Sequence, residues 1–277
     1  MTHPATIGIF DSGIGGLSVY RAIRQILPAQ PVIYFADQQH VPYGSRPLEE
    51  VRHFSEAITR FLIQHGAALI VVACNTASAA ALHHLRATFP NIPFVGMEPA
   101  VKPAAETTRS GKVGVLATPA TFQGALYASV VERFATGVKL LTDTCNGLVQ
   151  EIEAGRLDGN PARRILQSAL APMLQEGIDT VVLGCTHYPF VIPLIEEICG
   201  PGVRVIDPAP AVARQTRRLL ELHNLLAEGE QAAEVHFYTS GDANILRQQV
   251  ARLLGEHGTY HTARWEDHRI FEVHPAL

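Results

Sequence analysis

Short runs of apolar and β-branched residues, bounded by turn residues, recur along the whole chain. Runs of this composition, each five to seven residues long, predict β-strands. Because they are apolar without strict alternation, we expect both faces of each strand to be buried. The nine predicted strands span residues 6–10, 31–37, 68–73, 92–96, 112–117, 137–142, 179–184, 203–207 and 234–240.

Helical periodicity occupies the stretches between these runs. After the segment SRPLEE, apolar residues follow one another at spacings of three and four, as at Val51, Phe54, Ile58 and Phe61, which places them on one helix face. Similar stretches predict helices over 16–27, 76–88, 161–176 and 208–226. Strands that alternate with helices predict an α/β protein with mainly parallel sheets flanked by helices.

Three phrases occur twice in the chain, in the same order. IGIFDS at 7 resembles VGVLAT at 113, an offset of 106 residues. VVACNT at 71 resembles VVLGCT at 181, an offset of 110, and MEPA at 97 resembles IDPA at 206, an offset of 109. The repeat predicts two similar α/β domains related by a pseudo-twofold axis, with the active site in the cleft between them. The alternative is that any two buried strands resemble each other.

Composition narrows the class of protein. A chain of 277 residues is long enough for about two domains. Its net charge of −4 offers no basic surface for direct binding of nucleic acid. It lacks an apolar stretch near the ~20 residues that a membrane helix needs, and MTHPATIGIF does not resemble a signal peptide. We therefore expect a cytoplasmic protein that binds neither membrane nor nucleic acid directly.

Polar residues are concentrated immediately after the predicted strands. In parallel α/β sheets, ligands bind beyond the carboxyl ends of the strands, so these residues are the candidates for a binding site. They are Asp11 and Ser12 after the first strand, Asn75 and Thr76 after Cys74, Thr118 and Thr121 after VGVLA, and Thr186 and His187 after Cys185.

Two cysteines, Cys74 and Cys185, end strands at equivalent places of the repeat. Each precedes a predicted helix, whose N-terminal N–H groups would lower the pKa of the thiol. One such cysteine alone would be read as a small buried apolar residue. Two of them facing one cleft suit the removal of a proton from one face of a carbon and its return to the other, which is racemisation or epimerisation.

The sequence favours a reaction without a cofactor or a metal. The chain has only three lysines, Lys102, Lys112 and Lys139, and none lies beside a convincing phosphate loop for pyridoxal phosphate. The segment DSGIGG at 11–16 fits neither nucleotide-binding pattern. We interpret it as a tight turn whose N–H groups point at an anion, most simply a carboxylate. Metal binding lacks a motif.

Four motifs together resemble the glutamate racemases. They are GIFDSGIGG at 8–16, YFAD with VPYG within 34–44, ACNTAS at 73–78 and LGCTHYP at 183–189. The resemblance covers nearly the whole chain, with the motifs in the order and at the spacing of that family. The resemblance implies cofactor-independent interconversion of L- and D-glutamate, which supplies D-glutamate for bacterial peptidoglycan.

The resemblance also implies residue roles. Cys74 would be the base toward D-glutamate and Cys185 the base toward L-glutamate, each acting as the acid in the reverse direction. Asp11 would assist Cys74, and His187 with Glu153 would assist Cys185, although Glu151 stands close enough in sequence to compete. The implied substrate-binding residues are Asp11, Ser12, Pro42, Tyr43, Gly44, Cys74, Asn75, Thr76, Thr118, Thr121, Cys185, Thr186 and His187.

The domains of the family are not sequential halves of the chain. By resemblance, residues 1–97 and 208–277 form the first domain and residues 98–207 form an inserted second domain. The two crossings, near 96–100 and 206–211, predict a hinge and closure over the substrate. A homodimer is also implied.

Two other functions stay open from the sequence. One is a related racemase that acts on aspartate, because sequence alone does not place the contacts to the distal carboxylate. The other is a non-catalytic role in binding an amino acid or a protein such as DNA gyrase, although intact thiols at both positions argue against an inactive site.

Overall fold

Two sheets, both mainly parallel, organise the part of the chain that the computed structural model describes, residues 5–229 and 231–273. The first sheet has the strand order β11-β10-β9-β2-β1-β3-β4 and the second the order β6-β5-β7-β8. The strands are β1 Thr6–Asp11, β2 Val32–Ala36, β3 Ala67–Val72, β4 Phe94–Val95, β5 Lys112–Ala117, β6 Lys139–Asp143, β7 Thr180–Gly184, β8 Arg204–Ile206, β9 Val235–Thr239, β10 Thr259–Glu266 and β11 Arg269–Val273.

Helices cover both faces of each sheet. They are α1 Leu17–Ile26, α2 Leu48–Gln64, α3 Asn75–Thr88, α4 Val101–Thr107, α5 Pro119–Gln123, α6 Ala125–Phe134, α7 Leu148–Glu153, α8 Asn160–Gln175, α9 Ile192–Cys199, α10 Ala209–Leu222 and α11 Ala243–Leu254. Because helices lie on both faces, the central strands β1, β3, β5 and β7 are almost wholly buried. This burial explains why these strands are continuous apolar runs in the sequence. The predicted fold class is confirmed.

The internal repeat corresponds to a shared strand order. Strands β2-β1-β3-β4 of the first sheet match β6-β5-β7-β8 of the second, and all these pairs are parallel. Thus β1 is equivalent to β5, and β3, which precedes Cys74, is equivalent to β7, which precedes Cys185. The two cysteines follow the same strand of two similarly ordered sheets.

The nine predicted strands and the five predicted helices are present with small shifts of their ends. The apolar pattern does not predict the hairpin of β10 and β11, which is antiparallel. Its turn residues, Asp267 and His268, both have positive φ, as the common two-residue hairpin turn requires. The sequence signal is weak because Asp-His replaces the usual Asn-Gly or Asp-Gly. Helices α4, α5, α6, α7, α9 and α11 are not among the five predicted helices.

The strands of the first sheet come from residues 6–95 and 235–273, and those of the second from 112–206. The domain boundaries drawn from the sequence, 1–97 with 208–277 and 98–207, stay a prediction, and residues 1–4, 230 and 274–277 within them lie outside the described residues. No helix in the described ranges is both long and apolar enough to cross a membrane.

Candidate active site

The carboxyl ends of the central strands of both sheets meet around one small cavity. Its accessible volume is only about 10 Å³, the room that about one water molecule needs. Eleven predicted residues line it together with Val149: Ser12, Pro42, Tyr43, Gly44, Cys74, Asn75, Thr76, Thr118, Cys185, Thr186 and His187. Both cysteines therefore face the same space.

Cys74 lies at the N-terminus of α3, and its Sγ accepts a hydrogen bond from Ala77 N at 3.4 Å. Burial nevertheless raises the pKa of the Cys74 thiol well above its usual range, the Asp11 carboxylate adds to the effect, and the Ala77 N–H offsets only part of it. The N–H group at the helix start does lower this pKa, but the expectation of a net lowering is wrong. Desolvation outweighs the helix terminus at this buried site.

Asp11 is fully buried behind Cys74 and is held by the glycine-rich turn. Its Oδ2 accepts hydrogen bonds from Gly13 N at 3.1 Å and Gly16 N at 3.0 Å, and its Oδ1 accepts one from the Thr186 hydroxyl at 3.4 Å. Burial raises the pKa of the Asp11 carboxyl, although the His187 charge and these N–H groups oppose the rise. The turn at 11–16 does bind a carboxylate, but that carboxylate belongs to the protein.

Cys185 lies beside a pair of titratable side chains. Its Sγ is 3.8 Å from His187 Nδ1, and His187 Nε2 donates to Glu153 Oε1 at 2.6 Å. Burial alone would lower the pKa of His187, but the hydrogen bonds to Cys185 and Glu153 outweigh it and raise that pKa well above its usual range. The turn also takes part, because Ile14 N donates to Glu153 Oε1 at 2.9 Å.

The two thiols follow equivalent strands but do not have equivalent surroundings. Cys74 begins the long helix α3, whereas Cys185 is followed by a short 3-10 turn, Tyr188–Val191, before α9. The helix that the sequence predicts after Cys185 therefore begins only at Ile192, beyond the 3-10 turn. His187 lies in the segment between Cys185 and that turn, with its Nδ1 toward the cysteine.

Hydroxyl and amide groups form the polar wall of the cavity. The Thr118 hydroxyl lies 2.8 Å from that of Thr76 and 2.9 Å from that of Thr121, so the three form one cluster. Both polar side-chain atoms of Asn75 are buried without a hydrogen-bond partner among the described residues. Buried polar atoms are costly unless paired, so this amide is available to a bound ligand.

Comparison with known proteins identifies the family. The model of the Asp/Glu/Hydantoin racemase family matches residues 7–216. This chain belongs to that family.

Relatives within the family are similar over nearly their whole length. A glutamate racemase of Ectopseudomonas mendocina is 49% identical over 257 residues, 93% of this chain and 97% of the relative. The structure of the Escherichia coli glutamate racemase in complex with L-glutamate is 34% identical, with a TM-score of 0.81 over 92% of this chain and 96% of that one. The Francisella tularensis glutamate racemase with D-glutamate is 29% identical, with a TM-score of 0.81 over 95% and 98%. The resemblance to the glutamate racemases is confirmed.

Two glutamates of α7, which lie two positions apart, have different contacts in the structure. Glu153 contacts His187, whereas Glu151 makes hydrogen bonds of 2.7 and 3.0 Å to Arg156 at the surface. Within a helix, residues two positions apart point to different faces. Geometry therefore favours Glu153 as the assisting carboxylate.

Some predicted residues have surroundings that the sequence did not reveal. Thr121 is buried behind Thr76 and Thr118 and does not line the cavity. The Tyr43 hydroxyl donates to Asp37 Oδ2 at 2.5 Å. Val149 also lines the cavity and is not among the predicted residues, because an apolar residue in a short helix carries no signal that separates it from the core.

Proposed function

We propose that this chain interconverts L- and D-glutamate without a cofactor, using Cys74 and Cys185 as the acid and base. The observation that carries the proposal is that the two thiols follow equivalent strands of two sheets and line one cavity. The glutamate racemases that match over nearly the whole chain support glutamate as the substrate. The product D-glutamate would supply bacterial peptidoglycan.

The proposed reaction moves one proton off the α-carbon and another onto its opposite face. With L-glutamate as the substrate, the Cys185 thiolate takes the α-proton, and Cys74 then gives its own proton to the other face. With D-glutamate as the substrate, the roles reverse. After one turnover in each direction, both cysteines are again in the protonation states in which they began.

Charge that develops on the substrate must be stabilised, because an α-proton is far less acidic than a thiol. Prearranged hydrogen-bond donors in a dry site are the strongest general source of such stabilisation. The Asn75 amide, which has no partner among the described residues, and the cluster of threonine hydroxyls are suited to hold the carboxylates of glutamate. Ser12, Thr186 and the Pro42–Gly44 segment complete the proposed binding site.

The two thiols are proposed to be unequal before substrate binds. Cys74 is held protonated by its raised pKa, while His187, whose own pKa is raised by its contacts with Cys185 and Glu153, carries the charge that stabilises a Cys185 thiolate. One protonated thiol and one thiolate is the state that a two-base racemase needs to begin with L-glutamate.

The test incubates the purified protein with each glutamate enantiomer in deuterated water without pyridoxal phosphate. We expect optical rotation to decay to zero from either side while deuterium enters the α-position. The same incubation with aspartate, which is one methylene shorter, tests the substrate. Absence of both changes with glutamate contradicts the racemase, and faster turnover of aspartate assigns the activity to the shorter substrate.

We also expect the cleft to open and close during turnover. The cavity has room for about one water molecule, far less than glutamate needs, so the two sheets must separate for substrate to enter. Hydrogen exchange in residues 42–44 and 74–76 should slow when glutamate binds, and small-angle scattering should show a more compact particle. Lysine at the same concentration is the control. Identical exchange with glutamate and with lysine would contradict the opening.

The substrate partner is thus proposed to be a small molecule. The homodimer and the cytoplasmic location expected from the sequence stay predictions, as does the absence of a cofactor, of a metal and of direct nucleic-acid or membrane binding.

A further inference from the structure

We propose that Gln249, on α11, is a positioning residue for Glu153 and through it for His187. The inference rests on the proposed function, in which Glu153 and His187 assist Cys185. Gln249 is far from the reacting thiols in sequence and does not line the cavity between them. Its proposed effect is exerted through the backbone of the helix that carries Glu153.

The contact occurs where α7 ends. The last carbonyl groups of a helix have no partner within it, and Glu153 is the last residue of α7. Gln249 Nε2 donates to the Glu153 carbonyl oxygen at 2.9 Å. This is the sole hydrogen bond between α11 and α7 among residues 5–229 and 231–273.

The other half of the same amide is anchored in the first sheet. Gln38 Nε2 donates to Gln249 Oε1 at 2.8 Å, and Gln38 Oε1 accepts from the Thr239 hydroxyl at 2.8 Å. Thr239 ends β9 and is fully buried, and Gln38 follows the neighbouring strand β2. A chain of three hydrogen bonds therefore connects the rigid end of the first sheet to the end of α7.

The position of the α7 terminus affects Glu153 because its carboxylate accepts two hydrogen bonds that depend on close geometry. Its Oε1 accepts from His187 Nε2 at 2.6 Å and from Ile14 N at 2.9 Å. Hydrogen bonds weaken steeply when distance or angle departs from these values. Helix α7 has only six residues, too few to hold its own geometry, so an external attachment at its last carbonyl has a direct effect on the carboxylate.

The experiment compares Gln249→Met with Gln248→Met. Methionine has nearly the shape of glutamine but cannot donate to the carbonyl. Gln248 is the preceding residue of the same helix and is exposed, with no hydrogen bond from its side chain among the described residues. Gln38→Met, which removes the anchor and keeps the Gln249 contact, is the second variant.

We expect Gln249→Met to lower kcat by about tenfold to a hundredfold in both directions, with a smaller change in KM, as misplacement of an assisting group does. Gln38→Met should lower kcat less, and the double variant should lose no more than Gln249→Met, because both act through one chain. Gln248→Met should match the unsubstituted protein. Melting temperatures identify a loss that is merely structural.

The pH dependence provides a readout that loss of stability would not change. Glu153 helps to raise the pKa of His187, so a displaced Glu153 lets that pKa fall and the imidazolium is lost at lower pH. The alkaline limb of kcat should move to lower pH in Gln249→Met but not in Gln248→Met. Titration of ¹⁵N-labelled histidines, with His187 assigned by its replacement, measures the same pKa without turnover.

The outcomes separate this inference from the proposed function. If the unsubstituted protein does not racemise glutamate, the proposed function is wrong, and the histidine titration still decides whether Gln249 positions Glu153. If it does racemise glutamate while Gln249→Met and Gln248→Met share the same kcat, pH limb and His187 titration, the positioning role is wrong. If Gln249→Met does not fold, Gln38→Met is compared with Gln248→Met by the same kcat, pH profile and His187 titration, and equal values contradict the positioning role.

Discussion

Replacing Cys74 or Cys185 with serine is expected to slow racemisation in both directions by on the order of 10³-fold or more, since a positioned acid or base contributes up to about 10⁴. A serine hydroxyl is far less acidic than a thiol, so it neither forms the base nor readily gives up a proton. The two enantiomers have equal free energy, so kcat/KM must fall equally from both sides.

Proton exchange without inversion separates the two thiols. In Cys74→Ser the Cys185 side is intact, so L-glutamate should still exchange its α-proton for deuterium slowly and keep its configuration, while D-glutamate should not. Cys185→Ser should show the reverse preference. Chiral chromatography with mass detection measures both quantities in one sample.

Cys199→Ser is the matched control, because Cys199 is a free cysteine at the end of α9 outside the cavity. It should keep the activity of the unsubstituted protein. A Cys74→Ser or Cys185→Ser variant that racemises within about tenfold of that activity would be incompatible with a two-thiol mechanism.

Adding a methyl group at Gly15 is expected to reduce kcat/KM by roughly a hundredfold, as an approximately 1 Å displacement of a catalytic group does. A Cβ at Gly15 would lie 2.3 Å from His187 Nδ1, and one at Gly13 would lie 2.0 Å from Glu153 Oε1. Both distances are too short for non-bonded atoms, so the side chains that assist Cys185 must move. Gly15→Ala and Gly13→Ala thus test the same pair from two directions.

Gly202→Ala is the control for these two variants. Its Cβ would meet no atom within 4 Å, and none of the three glycines has a positive φ, so alanine adds no backbone strain at any of them. Steady-state kinetics with melting temperatures distinguishes a displaced site from an unfolded protein. Full activity in both Gly15→Ala and Gly13→Ala would show that the turn does not need close approach to His187 and Glu153.

Much of the fold was accessible from local patterns, and the exceptions have physical reasons. Strands buried on both faces produce apolar runs that are readable one at a time, as in β1 and β3. The hairpin of β10 and β11 was missed because its exposed positions interrupt that pattern and its turn lacks glycine. Helix α11 was missed although it bears Gln249, since only Leu246 and Val250 of its residues are buried.

The residues of the site likewise fall into those that local sequence predicts and those that only tertiary contacts reveal. The two thiols and the polar residues next to them were identifiable because each follows a buried strand directly. The partners of these residues come from distant segments, as when Glu153 contacts His187 across 34 residues. The Asn75 amide atoms have no hydrogen-bond partner anywhere in the described part of the chain. Such pairings depend on how helices pack, which no local pattern contains.

By itself the sequence determined the racemase family, the repeated strand order and the two strand-end cysteines, because these depend on local hydrophobicity and on motifs that survive in order. Only the tertiary structure decided the direction in which the pKa of the Cys74 thiol is shifted. A helix start after Cys74 suggested a lowered pKa, but burial beside Asp11 raises it, since desolvation depends on every element packed around the group. The same packing selected Glu153 over Glu151 as the partner of His187.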